Sequence, residues 1–294
     1  MTATPVLRLH NITKRFGPLV ANDAISLELR RGEVVALLGE NGAGKTTLMN
    51  ILFGHYVADE GTVEAFGEAL PPGDPRAALE AGVGMVHQHF TLADNMTVLE
   101  NIALGTQSSW SPRFDRATAL ARIRTLAADF GLAVEPDQTV ANLTVGERQR
   151  VEILKALYRD ARVLILDEPT AVLTPIETEA LFATLKKLVA SGLSVIFISH
   201  KLNEVLAISD RVLVLRAGRL SGERETKGTT RQELAALMIG QEIAPPAIAE
   251  ATPGPVLLEC EAVCAAPASG PVGLESVSLA LRGGETLSRP TGPE

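Results

Sequence analysis

The feature that most constrains the fold is a glycine-rich loop between an apolar strand and a helix. Residues 39–46 read G-E-N-G-A-G-K-T, which fits the phosphate-loop pattern G-x-x-x-x-G-K-[ST]. Val34 to Leu38 form an apolar run typical of a strand buried on both faces, and Thr46 to Phe53 show a helical pattern. Glycines let successive backbone N–H groups point at phosphate oxygens, and the helix adds its positive end. A glycine-rich turn that matches by chance is the alternative, and the flanking elements disfavour it.

The rest of the chain alternates between short apolar runs and helical patterns. Val163 to Leu166 and Ser194 to Ile198 predict buried parallel strands, with a helix over 176–189 between them. Further helices are predicted over about 115–130 and over 145–158. This βαβ order predicts an α/β fold in which helices cover the faces of a parallel sheet.

Two acidic residues end the predicted strand 163–166. Carboxylates at the C-terminal end of a parallel strand lie where ligands bind in such sheets. Lys45 of the loop can reach the β and γ phosphates, and the Thr46 hydroxyl can bind Mg²⁺. Asp167 is then predicted to hold the Mg²⁺ shell, and Glu168 to act as the general base for an attacking water. A strand that simply ends in solvated acids is the alternative, which the phosphate loop makes the weaker one.

Composition excludes several classes of protein. Hydrophobic residues make up 46% and charged residues 21%, so the chain can bury a full core. The net charge of −8 argues against a nucleic-acid partner, because binding to phosphates needs a basic surface. The two cysteines cannot form a disulfide framework, and no apolar run reaches the roughly 18 residues of a membrane helix. We therefore expect a cytoplasmic protein that contacts a membrane only through a partner.

Further motifs resemble those of the ATP-binding-cassette (ABC) ATPases, the motor subunits of membrane transporters. L-T-V-G-E-R-Q-R, residues 143–150, is similar to the family's signature motif, L-S-G-G-Q in its commonest form. Gln88, in M-V-H-Q-H-F, matches the glutamine that senses Mg²⁺ and the attacking water. His200, in V-I-F-I-S-H, matches the switch histidine that contacts the γ-phosphate, and Phe16 matches the aromatic residue that stacks on adenine.

The loop and the resemblance together define a predicted site for ATP and Mg²⁺. The predicted catalytic residues are Glu168, His200 and Gln88, and the predicted Mg²⁺ ligands are Thr46, Gln88 and Asp167. The predicted ATP-contacting residues are Phe16, Gly39, Asn41, Gly42, Ala43, Gly44, Lys45, Thr46, Thr47, Thr144 and Gly146.

Several of these residues also have a purely structural interpretation. Thr144 could simply cap a helix, Gln88 and His200 could be polar residues at strand ends, and Phe16 could pack in the core. The motifs occur in the family's order between residues 16 and 200, which favours the functional interpretation. This sequence also departs from the family, since Val145 and Glu147 differ from the signature pattern. Thr174, in T-A-V-L-T, stands where the family has an aspartate.

Within the family, V-H-Q-H-F and D-E-P-T-A-V-L-T-P look like the first half of fused, two-cassette importers of simple sugars or nucleosides, with the nucleoside branch the closer match. The resemblance implies a cassette fold with an antiparallel β subdomain and a helical subdomain beside the parallel core. It implies two integral membrane permease subunits, a second cassette paired head to tail, and an extracytoplasmic solute-binding protein. The chain would then lie on the inner face of the cell membrane, with Gln88 and residues 90–130 towards the permease.

The C-terminal part of the sequence repeats its beginning. Residues 244–255, A-P-P-A-I-A-E-A-T-P-G-P, have the composition of a linker. Residues 276–285, S-V-S-L-A-L-R-G-G-E, then resemble residues 24–33, A-I-S-L-E-L-R-R-G-E, but no second phosphate loop follows. We expect an ATPase domain over 1–243, a linker over 244–255 and the truncated start of a second cassette over 256–294.

Three other functions compete with the transport ATPase. A soluble cassette ATPase acting on ribosomes or DNA would carry charged linkers or basic arms, which this sequence does not show. A non-catalytic fragment is compatible with one phosphate loop and one signature motif, because cassettes work in pairs. A small-molecule phosphotransferase is compatible with the phosphate loop alone, but the signature motif and His200 disfavour it.

Overall fold

The protein is described by a computed structural model that covers residues 5–88, 90–106, 115–240, 254–265 and 274–284. The chain divides into two units, Met1–Ile243 and Ala244–Glu294. Of the expected linker over 244–255, only the last two residues lie within the described part of the chain, and residues 285–294 lie outside it.

The described residues form twelve strands and eight α-helices. The strands are β1 (Leu7–Phe16), β2 (Leu19–Leu29), β3 (Val34–Leu38), β4 (Glu60–Ala65), β5 (Glu68–Ala69), β6 (Val83–Val86), β7 (Val163–Asp167), β8 (Ser194–Ser199), β9 (Arg211–Arg216), β10 (Arg219–Glu225), β11 (Val256–Ala265) and β12 (Leu274–Arg282). The helices are α1 (Lys45–Phe53), α2 (Pro75–Glu80), α3 (Val98–Ala103), α4 (Arg116–Phe130), α5 (Val145–Tyr158), α6 (Pro175–Ala190), α7 (Leu202–Ile208) and α8 (Arg231–Ile239).

The first unit is built on a six-stranded sheet with the order β10-β9-β3-β8-β7-β6. Strands β9, β3, β8, β7 and β6 run parallel, and β10 is an antiparallel edge strand. Every residue of β3, β7 and β8 is buried, which explains why their sequences are mostly apolar. The predicted parallel sheet with helices on its faces is confirmed, and the predicted helix over 145–158 has the bounds of α5.

Two large apolar clusters lie on opposite faces of this sheet. One joins the sheet to α1 and to the antiparallel strands, through residues such as Leu48 and Leu9. The other joins the sheet to the helices α3 to α6, through residues such as Leu154, Leu185 and Phe197. None of the helices in the described ranges combines the length and the apolar character that a membrane span requires.

A second, antiparallel sheet of the first unit has the order β2-β1-β4-β5. Leu7 and Leu9 face one side of β1, and a regular strand would turn Ile12 to the other side. The strand pair shifts register between Leu9 and Ile12, where Asn11 has φ 50°, so Ile12 returns to the buried face. This bulge accounts for the irregular spacing of apolar residues in the sequence.

The second unit contains the antiparallel hairpin β11–β12, whose backbone repeats that of β1–β2. Ala262 has φ 45°, as Asn11 has φ 50°. The Ala262 N–H donates to Ser278 Oγ at 2.8 Å, and the Asn11 N–H donates to Ser26 Oγ at 3.0 Å. The repeat seen in the sequence is therefore also a repeat of strand irregularities and their hydrogen bonds.

Candidate nucleotide site

The phosphate loop connects the C-terminal end of β3 to α1, and two of its glycines are required by close backbone contacts. A Cβ on Gly39 would lie 2.5 Å from the Leu215 carbonyl oxygen. Gly44 has φ +100°, and a Cβ there would lie 2.3 Å from the Ala21 carbonyl oxygen. Only glycine fits these two positions without moving the neighbouring strands β2 and β9. The loop conformation is therefore fixed by the strands that surround it.

Lys45 lies inside the loop, with only 6% of the residue exposed. Its Nζ donates to the Gly39 carbonyl at 2.7 Å and to the Glu40 carbonyl at 3.0 Å, so the ammonium group spans the loop. Burial lowers the pKa of Lys45, while the nearby carboxylates of Glu168 and Asp167 act in the opposite direction. A buried cation is thus held between the loop and the acidic end of β7.

Asp167 ends β7 and is 4% exposed. Burial raises the pKa of its carboxyl group and the Glu168 carboxylate adds to this, while Lys45 and a hydrogen bond from the Thr46 side chain oppose it. Burial and the second carboxylate both disfavour the charged form of Asp167, and a bound cation would offset this unfavourable charge. Asp167, Thr46 and the Gln88 amide offer oxygen donors, the ligand type that Mg²⁺ prefers.

Glu168 follows β7 and contacts residues from two other strand ends. It adopts φ 47°, which is unusual for a residue other than glycine, and its N–H donates to the Ile198 carbonyl at 3.0 Å. His200 Nδ1 lies 3.1 Å from Glu168 Oε1, and Gln88 Nε2 lies 3.5 Å from Glu168 Oε2. The three residues predicted to be catalytic are therefore brought together, although the contact with Gln88 is long for a hydrogen bond.

The side chains on either side of His200 contact Glu204, which was not predicted from the sequence. The Glu204 carboxylate accepts hydrogen bonds from the hydroxyls of Thr170 and Ser199. Its other oxygen lies 2.9 Å from Lys201 Nζ, which also donates to the Thr170 carbonyl at 3.0 Å. These contacts join the turn that follows Glu168 to the residues that flank His200.

The signature residues lie at the start of α5. Thr144 caps this helix by accepting the Glu147 N–H, and Glu147 Oε2 accepts the Thr144 N–H at 2.8 Å. A Cβ on Gly146 would lie 2.5 Å from Glu177 Oε1, so the Glu177 carboxylate occupies the space that a side chain would need. Within the described part of the chain, no hydrogen bond joins Thr144 or Gly146 to the phosphate loop. The structural role of Thr144 as a helix cap is thus present alongside any role in binding.

Two buried polar residues of α5 connect the signature helix to other parts of the site, and neither was predicted from the sequence. Gln149 Nε2 donates to the Pro169 carbonyl at 2.7 Å, next to the acidic end of β7. Glu152 Oε1 accepts the Thr91 N–H at 2.6 Å and the Thr91 hydroxyl at 2.9 Å, three residues beyond Gln88. A charged or amide residue in the apolar face of a helix is the sequence signal that could have indicated both.

The remaining predicted residues of the loop differ in exposure. Asn41 and Gly42 are exposed, Thr47 is half-buried, and Ala43 is buried and accepts the Gly218 N–H through its carbonyl. Phe16 lies at the end of the β1–β2 hairpin and is 44% exposed, so the alternative that it packs in the core is wrong. The hairpin contacts the loop through Asn22 Nδ2, which donates to the Gly44 carbonyl at 3.1 Å.

The arrangement defines an α/β protein with a phosphate loop. The loop, the two acidic residues at the end of β7 and the histidine that follows β8 meet at one edge of a parallel sheet. The model of the ABC transporter family matches residues 22–171, just over half of the chain. The chain belongs to the ABC transporter family.

Relatives and solved structures agree with this assignment. The chain is 46% identical over 288 residues to the nucleoside import ATP-binding protein NupA of Lactococcus lactis subsp. cremoris, covering 98% of this chain and 57% of that protein. It is 43% identical over 316 residues to the glucose import ATP-binding protein TsgD13 of Haloferax volcanii, covering 98% of this chain and 58% of that protein. The chain thus spans somewhat more than half the length of these relatives.

The solved structure of the ADP conformation of MJ1267, an ATP-binding cassette of an ABC transporter, superimposes with a TM-score of 0.71 at 27% identity. The match covers 81% of this chain and all of that chain. The predicted cassette fold, with a parallel core sheet and an antiparallel β sheet, is confirmed.

Proposed function

We propose that this chain is the ATP-binding and ATP-hydrolysing subunit of an ABC importer for nucleosides or simple sugars. The observation that carries the proposal is the arrangement at the strand ends: the Lys45 charge acts on Asp167, which is hydrogen-bonded to the Thr46 side chain, and Glu168 lies 3.1 Å from His200 Nδ1 and 3.5 Å from Gln88 Nε2. This arrangement supports a phosphate-binding role for Lys45, a metal-binding role for Thr46 and Asp167, and a role as base for Glu168.

Each residue has a role that follows from its chemistry. The loop N–H groups and Lys45 hold the β and γ phosphates of ATP, and Phe16 stacks on the adenine base. Thr46, Asp167 and Gln88 would hold Mg²⁺, which would supply positive charge beside the phosphates. Glu168 accepts a proton from the attacking water, and its contact with His200 Nδ1 at 3.1 Å fixes the two side chains relative to each other.

A complete hydrolytic site requires a second cassette. We propose that the exposed Thr144 and the first N–H groups of α5, at Val145 and Gly146, contact the γ-phosphate held by that cassette, in a head-to-tail pair. Integral membrane permease subunits would bind near Gln88 and residues 90–130, and an extracytoplasmic solute-binding protein would deliver the solute. The chain would then act at the cytoplasmic face of the membrane.

The proposed solute class rests on the relatives. NupA is named for nucleoside import and TsgD13 for glucose import, at identities that differ by only three percentage points, 46% and 43%. Because the cassette does not contact the solute in this arrangement, the nucleotide site supports either class. Uptake of labelled nucleoside and of labelled sugar by cells with and without the gene would separate the two.

We further propose that the β11–β12 hairpin is the opening of a second cassette domain. The hairpin repeats the bulge and the serine hydrogen bond of β1–β2. Leu258 and Val263, which correspond to the buried Leu7 and Ile12, are 52% and 39% exposed. An apolar face of this kind is completed by packing against further strands and a helix, as in the first unit.

The proposal is tested by the ATPase rate of the purified chain as its concentration is raised, with Glu168→Gln as the control. We expect Mg·ATP to bind at all concentrations and the specific rate to rise with protein concentration, because a second copy supplies the signature helix. A specific rate that is high and independent of concentration would show that no second cassette is needed. Absence of Mg·ATP binding would exclude the proposed site altogether.

The second candidate is a soluble cassette ATPase that does not act in transport. It shares the nucleotide site, so only the partners differ. Expression of the tagged chain followed by fractionation distinguishes the two: the importer subunit sediments with membranes that contain its permease, and the alternative remains in the soluble or ribosomal fraction.

A further inference from the structure

Phe16 has an aromatic neighbour, Tyr56, that no part of the proposed mechanism uses. The two ring centroids lie 5.8 Å apart with an interplanar angle of 75°, an edge-to-face arrangement. Both residues are partly exposed, Phe16 at 44% and Tyr56 at 42%. Edge-to-face pairs are stabilising beyond the area that they bury, so Tyr56 restricts the orientations available to the Phe16 ring.

The backbone on both sides of this pair is fixed by hydrogen bonds. The Tyr56 N–H donates to the Asn50 carbonyl of α1 at 3.0 Å. On the other side, Asp59 accepts the Arg15 N–H at 2.6 Å and Lys14 Nζ at 3.0 Å. Lys14 Nζ lies 5.5 Å from the centroid of the Phe16 ring, a cation–π contact. These hydrogen bonds and the cation–π contact therefore fix the positions of the two rings relative to each other.

The same elements connect the pair to the phosphate loop. Helix α1 begins in the loop and ends at Phe53, three residues before Tyr56. Strand β2 contacts the loop through Asn22, which pairs with Lys14, while Phe16 pairs with Leu19 at the end of the hairpin. Phe16 thus lies two residues, about 7 Å, along β1 from the pair that touches the loop. A base attached to phosphates in the loop would lie within reach of that ring.

We propose that Tyr56 is a positioning residue for the adenine base, acting by bracing the Phe16 ring. This inference rests on the proposed binding of ATP at the phosphate loop. The contribution comes from the Tyr56 ring and not from its hydroxyl group, because within the described ranges the hydroxyl makes no hydrogen bond while the ring contacts Phe16. Loss of the brace lets the Phe16 ring rotate, so the base is bound less well while the phosphates are unaffected.

The experiment compares two ligands by calorimetry, each with Mg²⁺: the non-hydrolysable ATP analogue adenylyl imidodiphosphate and inorganic tripolyphosphate. The ratio of their dissociation constants isolates the contribution of the nucleoside, and a change in overall stability does not alter it. We expect Tyr56→Ala to reduce the preference for the analogue about 2- to 10-fold, the range expected for an aromatic pair. Tyr56→Phe retains the wild-type ratio. Tyr158→Ala, which changes the only other tyrosine of the sequence, is the matched control and also leaves the ratio unchanged.

A double-mutant cycle shows whether Tyr56 acts through Phe16. In the Phe16→Ala background, Tyr56→Ala should cause no further change in the ratio. Tyr56→Leu, which keeps apolar volume without a ring, replaces Tyr56→Ala if the alanine variant does not fold. An unchanged ratio in Tyr56→Ala or Tyr56→Leu, an equal loss in Tyr56→Phe, or additive losses in the cycle would each overturn the inference. If the wild-type chain binds neither ligand, the proposed nucleotide site itself is wrong, which is a distinguishable result.

Discussion

The buried carboxylate of Glu152 provides a quantitative test of how the site is held together. Its oxygen accepts two hydrogen bonds from Thr91, at 2.6 and 2.9 Å, and Lys155 Nζ lies 3.9 Å from the other oxygen. Hydrogen bonds to charged groups contribute about 1.5–3 kcal/mol each and neutral ones about 0.5–1.5 kcal/mol. Glu152→Gln keeps the shape and an acceptor, so the difference for two bonds is about 2 kcal/mol. The substitution also removes the desolvation cost of a buried carboxylate, so the net loss of unfolding free energy is about 1–2 kcal/mol.

The assay is urea unfolding followed by the circular dichroism of the helices, with the free energy of unfolding obtained at fixed slope. Glu152→Ala removes both bonds and leaves a cavity, so we expect a loss of about 3 kcal/mol or more. Glu179→Gln is the matched control, because Glu179 is exposed on α6, and it should change stability by less than about 0.5 kcal/mol. If Glu152→Gln unfolds at the same urea concentration as this control, Glu152 does not anchor the segment after Gln88.

Three further substitutions test the nucleotide site directly. Lys45→Met removes a charge-assisted donor to phosphate worth about 1.5–3 kcal/mol, so calorimetry should show about a 10- to 100-fold loss of affinity for the ATP analogue; unchanged affinity would exclude Lys45 from phosphate binding. Glu168→Gln should keep that affinity and lower the ATPase rate by about 10²–10⁴-fold, and an undiminished rate would mean that another group is the base. Gly44→Ala forces a side chain into φ +100° and against the Ala21 carbonyl, so both unfolding free energy and affinity should fall, and a fully stable variant would contradict the loop geometry.

The parts of the fold that the sequence predicts are those governed by local patterns. The helix over 145–158 follows from its apolar period and its threonine cap, and β7 follows from an unbroken apolar run that ends in two acids. Glu168 and His200 each follow a predicted parallel strand, which places them at one edge of the sheet, and the resemblance to the ABC ATPases adds Gln88 to them. Their mutual contacts agree with that expectation.

The residues that hold the site in place could not be predicted, because their partners are distant in the sequence. Glu152 and Thr91 are 61 residues apart, and Glu204 and Thr170 are 34 residues apart. A local pattern shows only that a charged residue lies in an apolar face, and it does not identify the group that satisfies the charge. The bulge at Asn11 is a related case, since it depends on the pairing of two strands.

Asp167 shows that the site is built at a cost to stability, and the pH dependence of folding tests this. Its folded pKa is raised above the ordinary value of 3.8, mainly by burial and then by Glu168. The folded state therefore binds the proton more tightly than the unfolded state, and the stability that this contributes is complete below about pH 3.8 and is lost as pH rises through the folded pKa. Asp167→Asn keeps a partner for the Thr46 hydroxyl but removes the charge. The unfolding free energy of this variant should therefore not fall as pH rises through the folded pKa of Asp167, and at neutral pH it should exceed that of the wild type. With Mg²⁺ and the ATP analogue present the order should reverse, because only the wild type gains stability from tight ligand binding. If Asp167→Asn is less stable than the wild type at pH 7 without ligand, the folded state stabilises the Asp167 carboxylate. Burying this carboxylate would then not lower the folding stability, contrary to the reasoning above.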